Sequence, residues 1–169
     1  KLEFDFTNCQ GNIGEAVMGF GLLFLGLSGL SSVFTPDQLG WMLNIKGSGL
    51  SAIILGFLIG IVVTALLHSS SAFSAIVITM AYNGLISWEL AAAMTLGSNV
   101  GSTVDSIMAS MGTSANGRRA ALIHVMFNLF GTIVVLCFFK PFLELVMLIT
   151  PGQENSNIAI RISMLHTVF

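Results

Sequence analysis

The sequence predicts an all-α, polytopic membrane protein, and its composition and charge spacing support this prediction. Of its 169 residues, 54% are apolar and only 8% are charged, whereas an average soluble domain carries roughly 25% charged residues. Three stretches without a charged residue, 16–36, 47–88 and 120–139, are 21, 42 and 20 residues long. Because a helix needs about 20 apolar residues to cross a bilayer core, these stretches hold roughly one, two and one crossings.

The charge balance excludes two classes of protein. Six basic and eight acidic side chains leave no basic face, so we expect no nucleic-acid partner. So few charges also cannot solvate a cytosolic globule or a disordered tail. The first residues, 1–6, lack the pattern of a secretory signal. Because the first residue is Lys and not Met, we expect the chain to be a piece of something longer.

The first predicted elements are a polar lead-in over residues 1–12 and a helix over residues 13–34. Small residues let membrane helices approach closely, and this helix carries glycines at positions 19, 21, 26 and 29. A turn at 35–37 is predicted to start a short amphipathic stretch, residues 38–44. We expect that stretch at the membrane interface, with Trp41 as its anchor.

The next stretch predicts two apolar helical arms, residues 49–67 and 72–81, around the polar tip His68-Ser69-Ser70-Ser71. The second arm is too short to cross a bilayer at 1.5 Å of rise per residue. This geometry predicts a re-entrant hairpin or a broken helix, closed by a turn at residues 82–84.

A second interruption follows at residues 97–103, between helical segments 89–96 and 104–111. Its small residues fit either a helix break or close helix packing. Asn99 favours a break, because lipid offers no partner for an amide and a helix breaks at membrane depth only where it lines protein or water.

The remaining segments predict one further crossing and an incomplete end. A polar loop over 112–119 carries the basic pair at 118 and 119 and is expected to be cytoplasmic by the positive-inside rule. A span over 120–139, a short apolar segment over 142–149 and a last helix from about residue 157 follow.

A partial internal recurrence supports the incomplete end. The pattern His124-x-x-Phe127-Asn128 begins again at His166 and stops at Phe169, where its Asn would come next. We therefore expect residues 13–169 to form a single transmembrane repeat that is truncated at its C-terminus.

Polar groups at a helix break can hold an anion together with a cation. A half-helix N-terminus attracts anions, free carbonyls suit Na⁺, and serine hydroxyls both donate and accept hydrogen bonds. A single membrane serine often bonds back to its own helix, but the three consecutive serines Ser69, Ser70 and Ser71 favour a binding tip. The adjacent His68 could contact substrate or act as a titrating switch. Asp105 either faces a cavity on an ion path or lies in water near the surface.

The ordered motifs resemble type II sodium-dependent phosphate cotransporters. Residues 64–72 (TALLHSSSA) resemble that family's Q-S-S-S signature, and residues 97–103 (GSNVGST) resemble its G-x-N-I-G-T-T segment. The basic pair and the H-x-x-F-N helix follow in the family's order. The family contains two inverted copies of this unit, and residues 21–27 (GLLFLGL) make the chain more similar to the second copy. Two positions depart from the family pattern: His68 replaces Gln, and Ser102-Thr103 replaces Thr-Thr.

The resemblance implies which residues contact the ligands. It implies phosphate contacts at Ser69, Ser70, Ser71 and Asn99. It implies Na⁺ contacts at Ser70, Ser71, Asn99, Ser102 and Thr103. His68 and Asp105 remain candidates for coupling or switching.

The resemblance also implies the activity: Na⁺-coupled transport of inorganic phosphate by alternating access, with Na⁺ as coupling ion, no cofactor and no enzymatic reaction. The site would need a second inverted repeat, from missing sequence or another chain, and we expect a multi-pass protein in the lipid bilayer of a bacterial inner membrane. Two alternatives stay open. One is a structural or regulatory membrane subunit. The other is an intramembrane serine hydrolase with His68 or His124 as base, against which the sequence shows no acid placed to orient the histidine.

Overall fold

The computed structural model describes residues 6–33, 49–150 and 157–169, and in these ranges the chain forms helices joined by short turns, without strands. The all-α prediction is therefore confirmed. The helices are α1 (Phe6–Val33), α2 (Leu50–Leu67), α3 (Ser70–Tyr82), α4 (Trp88–Gly101), α5 (Thr103–Ser110), α6 (Ala115–Cys137), α7 (Phe139–Ile149) and α8 (Ile158–Val168).

Helix α1 begins earlier than the sequence predicts, at Phe6 and not at residue 13. Part of the predicted polar lead-in is therefore helical. Polar side chains do not by themselves end a helix, and residues 6–33 contain no proline that would interrupt one. The predicted turn at 35–37 and the stretch 38–44 with Trp41 lie outside the described residues.

Two helices in the described ranges, α2 with 18 residues and α6 with 23, are long and apolar enough to cross a membrane. Only 22% of the α2 window and 6% of the α6 window is buried inside the chain. Their apolar side chains therefore face outward, as in a helix whose partner is lipid or another membrane segment. Helix α3 has 13 residues, which agrees with the predicted short second arm.

Helix α4 forms the centre of the fold and is buried at every position from Leu90 to Asn99. Two apolar clusters meet on it. The first joins α3, α4 and α8 and includes Phe73, Val77, Met80, Met94 and Ile162. The second joins α4, α7 and α8 and includes Leu96, Phe139, Leu143, Val146 and Leu165.

Glycines bring α2 and α4 into backbone contact. A methyl group added to Gly97 would collide with the carbonyl oxygen of Phe57, and one added to Gly101 would lie 2.6 Å from the carbonyl oxygen of Ile61. On the opposite helix, a methyl group on Gly60 would lie 3.1 Å from the Cα atom of Gly97. These small residues are therefore used for close helix packing.

The predicted break at residues 97–103 is wrong for most of its length. Residues 97–101 continue α4, and the regular helix is interrupted only at Ser102, which keeps helical dihedral angles of φ −64° and ψ −18°. The physical reason is the contact with α2: the glycines remove side chains from the contact surface and leave the helical hydrogen bonds in place.

Two further boundaries differ from the prediction. The polar loop is shorter than expected, because α6 begins at Ala115 and places Arg118 and Arg119 in its first turns. Helix α7 begins at Phe139 instead of residue 142 and holds Pro141 in its first turn, where the missing N–H of proline costs no helical hydrogen bond. The last helix, α8, starts at Ile158, close to the predicted position.

Candidate functional site

The tip between α2 and α3 is a two-residue reversal at His68 and Ser69. His68 has φ 52° and ψ 27°, and it is the one non-glycine residue with positive φ in the described ranges. Ser69 is extended, with φ −153° and ψ 104°, and it precedes the first residue of α3. A left-handed residue costs roughly 1–2 kcal/mol, so the surrounding contacts must hold His68 in place.

The serines of the tip surround the N-terminus of α3. The Oγ atom of Ser69 accepts a hydrogen bond from the N–H of Ala72 at 3.2 Å, which makes Ser69 the N-cap of the helix. The Oγ atoms of Ser69 and Ser71 lie 3.2 Å apart. The tip thus combines linked hydroxyls with the partial positive charge of a helix N-terminus, an arrangement that suits an anion.

A side-chain contact joins the tip to α5. The Nδ1 atom of His68 lies 2.5 Å from the Oδ1 atom of Asp105, across 37 residues of sequence. The side chains are 52% and 42% exposed, so Asp105 is neither fully in water nor fully enclosed. A side-chain contact this exposed contributes only about 0–1 kcal/mol to folding stability. Its main consequence is therefore geometric, because it sets where the tip lies relative to α5.

Asn99 lies inside α4 and is 7% exposed. Its amide nitrogen, Nδ2, is buried and has no hydrogen-bond partner within the part of the chain that the structure describes. A buried donor left without a partner costs roughly 1–3 kcal/mol, so Asn99 is a candidate for contacting a ligand or another segment. The hydroxyl of Thr64, on the last turn of α2, is also buried without a partner there. Thr64 was not predicted as a site residue, because one threonine in an apolar helix gives no signal.

Ser102 and Thr103 donate their hydroxyl hydrogens to backbone carbonyls in the last turn of α4. Ser102 donates to the carbonyl of Asn99 at 2.9 Å, and Thr103 donates to the carbonyl of Val100 at 2.6 Å. Their oxygens keep lone pairs that can only accept, which suits a cation better than an anion. Within the described ranges no hydrogen bond joins these hydroxyls to the serines of the tip; the side-chain hydrogen bond between the two regions is the one from His68 to Asp105.

Two grooves open beside these helices. A groove of about 400 Å³ runs between α3 and α8, and its polar lining consists of Ser70, Ser71, Ser74, Ser163, His166 and Thr167. A second groove of about 330 Å³ runs between α5 and α6, and its polar lining consists of Ser106, Ser110, Thr113 and His124. The α8 side chains of the first groove were not predicted as site residues, because the sequence does not show which helix packs beside the tip.

The pairing of His68 with Asp105 corrects one argument from the sequence. No acid was expected to orient a histidine, yet Asp105 does so for His68. A hydrolase would also need a serine hydroxyl bonded to that imidazole. The described residues show no such bond; Ser69 instead bonds Ser71 and the N–H of Ala72.

Comparisons with known proteins agree with the motifs. The family model described as Na⁺/Pi-cotransporter matches residues 42–164. The chain is 31% identical over 131 residues to the uncharacterized protein YqeW of Bacillus subtilis, covering 75% of this chain and 41% of the relative. It is 31% identical over 137 residues to the "Putative inorganic phosphate export protein YjbB" of Salmonella typhimurium, covering 80% and 25%.

A mammalian relative matches as well. The rat sodium-dependent phosphate transport protein 2C is 36% identical over 114 residues, covering 65% of this chain and 17% of the relative. The chain therefore spans less than half the length of these relatives. No solved structure matches it significantly.

Proposed function

The chain belongs to the Na⁺/Pi-cotransporter family, and we propose that it supplies half of a site that carries inorganic phosphate across a membrane together with Na⁺. Family and apolar helices make it a membrane protein. One observation supports the site most strongly: three serines surround the N-terminus of α3, and His68 fastens this tip to α5 through Asp105. The proposed location is a bacterial inner membrane, crossed several times.

The proposed phosphate contacts are Ser69, Ser70, Ser71 and Asn99. The helix N-terminus and the hydroxyls of the tip supply donors to the anion, and the partnerless amide nitrogen of Asn99 is a further donor. A dehydrated phosphate needs a counter-charge in a low-dielectric site, and the proposed Na⁺ provides it.

The proposed Na⁺ contacts are Ser70, Ser71, Asn99, Ser102 and Thr103. Ser102 and Thr103 suit this role because their hydroxyl hydrogens are already donated to backbone carbonyls. Hydroxyl, amide and carbonyl oxygens are the ligands that a hard cation prefers.

The transport cycle we propose is alternating access, in which two halves of a transporter move around a central site. The chain spans 41% of YqeW and 25% of YjbB, so the other half of the site is assigned to an inverted repeat in the remaining sequence or in another chain. One relative is named for phosphate export and another for sodium-dependent phosphate transport. Measuring phosphate uptake with the Na⁺ gradient imposed first inward and then outward would show whether this protein imports or exports phosphate.

Ser69→Ala and Ser70→Ala are the decisive variants for this proposal. Each is expected to abolish Na⁺-driven uptake of ³²P-phosphate by the complete protein in proteoliposomes, at unchanged expression. Ser87→Ala is the matched control, because Ser87 caps α4 by accepting from the N–H of Leu90 at 3.3 Å just as Ser69 caps α3. Full transport by both tip variants would refute the site.

The two alternatives make different predictions for the same protein. A serine hydrolase would react with a fluorophosphonate probe at residues 69–71, and we expect no labelling there. A structural subunit would bind no phosphate, whereas we expect calorimetry to show phosphate binding that requires Na⁺.

A further inference from the structure

We propose that α8 forms the second wall of the phosphate site and that the imidazole of His166 donates a hydrogen bond to the bound phosphate. The inference rests on the proposed function and extends it to a helix outside the tip. The groove of about 400 Å³ between α3 and α8 supports it, because Ser70 and Ser71 line one wall and His166 lines the other.

Packing fixes which face of α8 is turned to the groove. Ile158, Ile162 and Leu165 are 8%, 1% and 0% exposed and anchor α8 in the two apolar clusters. Ser163, His166 and Thr167 are spaced three and four residues apart, so they share a neighbouring face of the helix. Ser70 and Ser71 of the tip and this polar face of α8 therefore line opposite walls of one opening.

Hydrogen bonding singles out His166 on this wall. Ser163 donates its hydroxyl hydrogen to the carbonyl of Ala159, and Thr167 donates to the carbonyl of Ser163, both at 2.9 Å. Both hydroxyl oxygens can then only accept, which does not suit an anion. A neutral imidazole carries one N–H donor, so His166 is the side chain of this wall that can bind a tetrahedral oxyanion.

The two walls together suit phosphate better than either wall alone. The N-terminus of α3 and its serines offer donors from one side, and the imidazole offers a donor from the other. Apolar Ile162 and Ile78 also line the groove, and a lower local dielectric strengthens hydrogen bonds to a charged oxygen.

Kinetics of the complete transporter test the inference. We expect His166→Ala to raise the KM for phosphate about tenfold, as for a lost hydrogen bond to a charged group, with an unchanged half-saturating Na⁺ concentration. His166→Gln keeps an N–H donor and is expected to recover part of the affinity. The matched control is His124→Ala. His124 occupies the same H-x-x-F pattern but lines the α5–α6 groove, so the KM of this variant for phosphate should equal that of the unmodified protein.

A labelling experiment covers the case in which the histidine variants are inactive. With Cys9 and Cys137 replaced by alanine, Ser74→Cys should react with a soluble thiol reagent at least threefold more slowly when phosphate and Na⁺ are present. Ser110→Cys, in the α5–α6 groove, should react at the same rate with and without phosphate.

The outcomes separate the inference from the proposed function. A phosphate KM for His166→Ala within twofold of the unmodified protein, or unprotected labelling of Ser74→Cys, overturns the role of α8 while Ser69→Ala and Ser70→Ala still test the tip. If the unmodified complete protein moves no phosphate with Na⁺, the proposed function fails and the inference fails with it.

Discussion

His68 combines a left-handed backbone with a side chain that contacts another helix. The backbone conformation makes the reversal between α2 and α3 possible within two residues. The side chain contacts Asp105. These two roles can be separated by substitution, because glycine adopts positive φ without strain but has no side chain.

Replacement of Asp105 tests the side-chain role. Asp105→Asn removes the charge that faces His68 while keeping the shape of the side chain. We expect the KM for phosphate or Na⁺ to rise several-fold, since a neutral amide holds the imidazole less strongly than a carboxylate and the tip is held less firmly against α5. The thermal unfolding temperature should change little, because an exposed ion pair contributes about 0–1 kcal/mol.

Glu89→Gln is the control for Asp105→Asn. Glu89 is also an acid in the first turn of a helix and is exposed, but its neighbour Leu90 packs against Gly56, about three helical turns of α2 away from the tip. Its transport kinetics should match those of the unmodified protein. Unchanged kinetics for Asp105→Asn would show that the charge facing His68 has no part in transport.

Replacement of His68 tests the backbone role. Both His68→Ala and His68→Gly remove the imidazole, but only alanine keeps a Cβ atom in the left-handed conformation. We expect His68→Gly to be more stable than His68→Ala by about 1 kcal/mol, measured by thermal unfolding in detergent. Equal stabilities would contradict a positive φ at this position.

The sequence predicted the polar tip between α2 and α3, but it did not predict which side chains of other helices lie beside that tip. Three consecutive serines between apolar arms are sufficient to predict a polar tip, because their hydroxyls need partners that lipid does not offer, although Ser70 and Ser71 prove to be the first two residues of α3. The contact between His68 and Asp105 spans 37 residues, and local patterns carry no information about which side chains meet at that separation. His166 was missed as a site residue for the same reason.

At the scale of helices, α2 and α4 are paired by glycine. A residue pattern with glycines four apart on both helices, at 56 and 60 and at 97 and 101, accounts for the contact. From the sequence, the second pair with its polar neighbours predicted a helix break, because glycine occurs both at breaks and at close helix contacts. The matching spacing in α2 was the signal that distinguishes packing from a break.

Gly97→Ala tests this packing. The added methyl group would meet the backbone of Phe57, which cannot move aside as a side chain can, so we expect a loss of about 1–3 kcal/mol in stability. Thermal unfolding in detergent measures it. Gly21→Ala in α1 is the control, since nothing lies within 4 Å of the added methyl group and alanine favours helix. Unfolding temperatures that do not differ between the two variants would contradict the backbone contact.

Over the whole molecule, apolar side chains cover much of the outside. Phe127, Phe130 and Ile133 of α6 are 70%, 69% and 52% exposed, which would be unfavourable in water. The expected surroundings are lipid and the segments of the proposed second repeat. Composition alone predicted this, because 14 charges in 169 residues cannot cover a water-facing surface.

Phe130→Asp tests the membrane position of α6. A carboxylate near the centre of a bilayer-spanning helix costs about 2.5–3.5 kcal/mol, so the fraction of α6 inserted in a glycosylation-mapping assay should fall sharply. Met111→Asp is the control, because Met111 is 77% exposed but lies in the turn before α6. Equal insertion of both variants would place α6 outside the bilayer core.

The glycine contact between α2 and α4 also limits how this protein can change shape. Carbonyl groups of each helix rest against Cα atoms of the other, so neither helix can slide or rotate by a turn without forcing backbone through backbone. We therefore expect α2 and α4 to move together as one rigid body. Any movement would then have to carry α2 and α4 together, and α3 with them, because Phe73, Val77 and Met80 of α3 are buried in the first apolar cluster on α4.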